Sequence, residues 1–139
     1  MSKSDMTQAR VMRVQKGNVV TLPAEFVNEI SREYALAILV RKDASVKLYP
    51  VGKSDVMYLK LEIEKLSKSF LEDLTSVFEQ AGLDDILFTS GICQAANQCY
   101  YECYFTPDQL KMPADQLELR MRNIAGVQKV VLHKVQVLG

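Results

Sequence analysis

Apolar and polar residues alternate along some stretches of this chain and recur at helical spacing along others. Met57-Tyr58-Leu59-Lys60-Leu61-Glu62-Ile63 changes character at every step, the period-two pattern of a strand that buries one face. Phe70, Leu71, Leu74, Val77 and Phe78 recur three and four apart instead, which predicts an amphipathic helix. Gly82 stands where that helix should end, since a residue without a Cβ adopts the left-handed conformation of a C-terminal cap without a clash. Ile86-Leu87-Phe88 starts another strand, and residues 99–105 give a further one around the β-prone pair Tyr100-Tyr101. Pro113 opens a second helix bearing Leu117, Leu119, Met121 and Ile124, with Gly126 at its end, and residues 130–137 form the closing strand. The predicted order is β-α-β-β-α-β, which right-handed crossovers accommodate.

The first part of the chain has a different rhythm. Residues 1–8 are polar and read as an arm. Residues 10–14 alternate as a strand, Lys16-Gly17-Asn18 is a turn, and Val19-Val20-Thr21-Leu22 is a second short strand halted by Pro23, which cannot donate to a ladder. Pro23 suits the first turn of a helix over residues 24–30, where its missing N–H is not needed. Residues 35–40 and 46–49, joined at Lys42-Asp43-Ala44-Ser45, predict a β-hairpin closed by Pro50. Val51-Gly52-Lys53-Ser54-Asp55 is the linker candidate, so two small domains are expected, over residues 9–51 and 56–139. The fold class is α+β.

Composition narrows the function classes. An apolar fraction of 48% is that of a globular chain, and a formal charge of zero argues against a generally basic nucleic-acid binder. The charge is unevenly spread. Residues 1–52 carry eight Lys and Arg against five acids, a surplus of three that the rest of the chain cancels. A basic head on an acidic body suits an anion-binding module joined to a regulatory one. No segment approaches the roughly 18 uninterrupted apolar residues of a membrane span, and MSKSDMTQAR has no signal-like apolar core. With three cysteines in such a chain, free thiols in a reducing cytoplasm are expected.

Arg13-Val-Gln-Lys-Gly17, Val19-Val-Thr-Leu-Pro23-Ala-Glu25-Phe26 and Glu33-Tyr-Ala-Leu-Ala-Ile-Leu-Val40 together resemble the AbrB/MazE/SpoVT swapped-hairpin family over residues 9–51. The resemblance implies a β-barrel made by two interleaved chains, and double-stranded DNA bound near the first strand and the Gly turn. Arg10, Arg13 and Lys16 match basic positions of that pattern, and Asn18, where many members carry a base, completes the candidate DNA-contact set. Residues 57–139 resemble an ACT-like regulatory domain. The carrying residues are Phe70-Leu71-Glu72-Asp73-Leu74, Val77-Phe78-Glu79-Gln80-Ala81-Gly82-Leu83 and Ile124-Ala125-Gly126-Val127. That likeness implies a ferredoxin-like fold, shared with the RAM domain of Lrp-type regulators, and a small-molecule effector such as an amino acid. Ser67 and Ser69, in the loop before the first helix, and Ser90 and Gly91, between two strands, are the candidate effector contacts.

Cys93, Cys99, Cys103 and His133 form the one soft-ligand set, but their C-x5-C-x3-C spacing is no standard zinc pattern, and core packing is the preferred reading. A nucleophilic Cys93 would need a base, and the single histidine lies in the last strand. Asp84-Asp85 and Glu62/Glu64 read as helix-start and solvent-face charges. No phosphate loop, nucleotide fingerprint or metal-hydrolase motif is present, so no enzyme, cofactor or metal is expected. The expectation is a homodimeric or larger DNA-binding transcription regulator. The alternatives are an assembly or sensor protein whose barrel only dimerises, and a metal-responsive regulator using the cysteines.

Overall fold

The structure, a computed structural model, describes residue 7 and residues 9–14, 17, 19–30 and 32–138. Lys16, Asn18 and most of the polar arm lie outside the described residues. Contacts divide the chain into two compact units, residues 1–31 and 32–139. Across the described residues the fold is α+β, with one antiparallel sheet of two strands and one of four.

In the first unit, α1 (Ala24–Val27) starts at Pro23, whose carbonyl accepts from the Phe26 and Val27 amides at 3.1 Å. A turn carries the chain on to Ile30, whose N–H reaches the Val27 carbonyl at 3.0 Å, so the predicted helix over 24–30 is regular only in its first half. The described residues of 10–14 and 19–22 are not in strands. Alternation sorts side chains into two faces, but a strand also needs a neighbouring ladder, and none of the described residues of this unit supplies one.

The second unit begins with a hairpin, β1 (Tyr34–Val40) and β2 (Ser45–Val51), in register from Tyr34 opposite Val51 to Val40 opposite Ser45. A short 3-10 turn at Arg41–Asp43 closes it, with Ala44 at a φ of 53°. Pro50 sits within β2 and faces Ala35, a position an edge strand tolerates.

The remainder follows the predicted order: β3 (Met57–Ile63), α2 (Lys68–Ala81), β4 (Ile86–Ala95), β5 (Gln98–Phe105), α3 (Ala114–Arg122) and β6 (Val127–Lys134). The sheet runs β4-β5-β3-β6, every neighbour antiparallel, so β3 is paired on both sides. Met57, Leu59, Leu61 and Ile63 on β3 and Cys99, Tyr101, Cys103 and Phe105 on β5 point one way. They meet Phe70, Leu74 and Ala81 of α2 and Leu117 and Met121 of α3, which forms the main core. Both helices therefore cover one face of the sheet.

The hairpin packs on the opposite face. Leu36, Ile38 and Val51 form a second core with Val56, against which Phe88, Tyr104 and Val135 are packed. Lys47 Nζ lies 5.2 Å from the Phe88 ring centre. This shared core is why the hairpin belongs to the second unit.

Candidate functional site

Four places carry the residues to which the sequence points. The first is the basic N-terminal stretch. Arg10 and Arg13 are both exposed. Arg10 donates to the Ala9 carbonyl at 2.8 Å and makes an ion pair with Glu25 at 3.4 Å, with both side chains about half exposed. That carboxylate cancels part of the field Arg10 offers to a phosphate, whereas Arg13 has no ion-pair partner among the described residues. Arg10 also borders a cleft of about 210 Å³ with Met12, Leu22, Pro23 and Phe26. Lys16 and Asn18, the other two candidates for DNA contact, lie outside the described residues.

The second is the loop before α2. Ser67 is the N-cap of that helix: its Oγ accepts from the Phe70 amide at 3.1 Å and lies 3.1 Å from Ser69 Oγ. The cap satisfies a helix-end donor, so one of the two serines has a structural task. Gly91 belongs to the same side of the sheet. A Cβ there would come within 3.1 Å of Leu66 Cδ1, so the glycine lets the loop before α2 lie close on β4. Ser90 points to the other face and faces Glu102 across the ladder. The structure thus brings Gly91 beneath the Ser67 loop and sets Ser90 apart from it.

Ser90 lines the third place, a shallow depression of about 300 Å³ on the part of the sheet face that the hairpin leaves open. Its other walls are Lys60, Ile92, Gln94, Tyr100 and Glu102. Lys60 Nζ lies 4.9 Å from the Tyr100 ring centre, and the Tyr58 hydroxyl donates to Glu102 Oε2 at 2.6 Å. Burial, reinforced by that bond to a carboxylate, pushes the Tyr58 hydroxyl well above the usual phenol range. One cation, one carboxylate and an aromatic ring suit a small zwitterion better than a phosphate backbone. The sequence reading missed Lys60, Tyr100 and Glu102. Their alternation with core residues on adjacent strands was the available signal, but it marks only a face and not which part of it stays uncovered.

The cysteines form the fourth. Cys93 and Cys99 face each other across β4 and β5 and are joined in a disulfide. The expectation of free thiols therefore fails at this pair, because the register of the hairpin places the two sulfurs together. Cys103 is the free one, fully buried, with burial pushing its thiol up to about 12. His133 stacks on Tyr58 on the opposite face, with ring centres 5.1 Å apart, and its Nδ1 is 2.9 Å from the Lys134 carbonyl. Sheet geometry thus separates the soft-ligand set, and among the described residues no group of three His, Cys, Asp or Glu gathers as a metal would need.

The outer face of the hairpin bears on association. Register pairs Ala35 with Pro50, Ala37 with Leu48 and Leu39 with Val46 on that face, all apolar and all exposed. Leu39 is 70% exposed and Val46 57%. Among the described residues no helix is long and apolar enough to cross a membrane. Compared with known proteins, the chain matches no protein-family model and no curated sequence.

Proposed function

We propose that the chain is a cytoplasmic DNA-binding transcription regulator that works as a homodimer or larger assembly. In this reading its N-terminal segments and the β1–β2 hairpin interleave with those of a second copy as a swapped-hairpin barrel of the AbrB/MazE/SpoVT type. Residues 56–139 serve as a ferredoxin-like, ACT-like body that senses a small molecule or extends the assembly. The strand order β4-β5-β3-β6, with both helices on one face, supports the ferredoxin-like part of that reading.

The observation that carries the proposal is strand-forming apolar surface without cover. Val11, Val14, Val19 and Val20 are each at least 75% exposed, in stretches whose sequence reads as strands. The hairpin adds a wholly apolar outer face and open edges. Such surface gains about 25 cal/mol for each Å² removed from water, and a second copy brings the missing ladders with it. Arg10 and Arg13 give the dimer a basic edge for phosphate. The Arg10–Glu25 pair favours a second reading, in which the barrel only dimerises and binds no DNA.

The test is fluorescence anisotropy of a labelled duplex taken from upstream of the protein's own gene, titrated at several salt concentrations. The expected result is binding whose log affinity falls linearly with log salt, and Arg13→Ala should lower that slope by about one unit. A duplex that stays unbound at low salt overturns the regulator reading and leaves the dimerisation clamp.

A further inference from the structure

The β4–β5 hairpin ends in a two-residue turn, Ala96-Asn97, with Asn97 at a φ of 61° and Ala95 opposite Gln98. A register irregularity between Cys93 and Ala95 then sets Cys93 opposite Cys99, their Cα atoms 4.0 Å apart and their sulfurs bonded. The two ends of this bond differ in access. Cys99 is 4% exposed and belongs to the main core, whereas Cys93 is exposed on β4, the edge strand of the sheet. The bond therefore pins an edge strand to its neighbour beside the turn and keeps one cysteine within reach of solvent.

We propose that Cys93 and Cys99 form a reversible redox site, opened from the solvent side at Cys93 by a soluble monothiol of the glutathione class. The attacking thiolate bonds to Cys93 Sγ while the Cys93–Cys99 bond breaks, and Cys99 leaves as a thiolate that takes up a proton. A second monothiol attacks the first one's sulfur in this mixed disulfide and releases Cys93 as a thiolate, which is protonated in turn. Two electrons have then passed to the cysteine pair, and the two monothiols depart joined as their own disulfide. Cys103 takes no part: it is fully buried, and its thiol stays protonated at neutral pH. Opening frees the rungs nearest the turn. Ile92, Gln94 and Tyr100, the immediate neighbours of the two cysteines, are also walls of the depression on the open sheet face, so the redox state of the pair sets how firmly that rim is held.

The test equilibrates the full chain in buffers of reduced and oxidised glutathione, traps free thiols with an alkylating reagent, and counts them by intact mass. The expected result is one two-thiol step, with Cys93 and Cys99 labelled together and Cys103 labelled only after unfolding. Cys103→Ala should leave the step in place. Amide exchange over residues 92–98, measured on the wild-type chain in both states, should quicken about tenfold or more on reduction. Thiols that stay free at every ratio overturn the proposal. So does a bond that survives the most reducing buffer, and so does amide exchange that is the same in both states.

Discussion

Two glycines show how a single residue meets its surroundings. Gly82 caps α2 at a φ of 78°, and a Cβ added there would meet Lys111 Cγ at 2.8 Å and the Gln109 carbonyl oxygen at 2.9 Å. The lysine can swing aside, but the carbonyl is backbone and cannot. Gly126 has a similar φ of 89° with nothing within 4 Å of the added atom. Gly126→Ala should therefore cost only the left-handed penalty, ~1 kcal/mol, and Gly82→Ala at least about 2 kcal/mol. Urea unfolding of the two variants beside the wild type checks the order, and equal losses would mean that the Gln109 contact does not matter.

At the scale of elements, β5 is the strand to watch. It carries Tyr101, Cys103 and Tyr104, and it pairs with Tyr58 on β3. Burial comes first among the causes that raise the pKa of all four and so hold them neutral. For Cys103 the folded value lies above the unfolded one, so the neutral thiol is what the fold prefers. Its contribution is fully present below pH 9 and is lost as the pH climbs to about 12. Stability measured by urea midpoint should hold to pH 9 and then fall, and Cys103→Ala should flatten the fall by up to ~1.4 kcal/mol per pH unit. An unchanged slope in the variant would remove Cys103 from the account. The elements themselves were largely legible. Alternation at Met57-Tyr58-Leu59-Lys60-Leu61-Glu62-Ile63 marks β3 from end to end, and the three-four spacing with Gly82 marks α2. Residues 10–14 and 19–22 read as strands because side-chain pattern reports faces and says nothing of a ladder partner. The Cys93–Cys99 pair was hidden for a similar reason. With Ala95 opposite Gln98, an unbroken ladder would pair Cys93 with Tyr100, and only the irregularity before Ala95 turns the two sulfurs toward each other.

The whole molecule is defined as much by what it leaves uncovered as by its cores. If the outer face of the hairpin lies between two copies, Leu39→Lys with Leu48→Lys should weaken self-association at least about tenfold, since each lysine must lose water in the interface. Sedimentation equilibrium over a range of concentrations measures this, and a wild-type chain that stays monomeric throughout defeats the dimer. The thermal midpoint of the wild type should also rise with concentration, as it does when folding and assembly are linked. One feature of the larger sheet reaches beyond the finished molecule. Leu59 at the centre of β3 faces Cys103 on one side and Leu132 on the other, so β3 is completed only when β6, made after both helices, joins the sheet. A ribosome that has made everything through α3 still holds a nascent chain in which β3 has one bare side. Until β6 emerges, that side is open to any strand that comes near, so the interval between the synthesis of α3 and the emergence of β6 is also the time for which the sheet depends on a chaperone or on dilution.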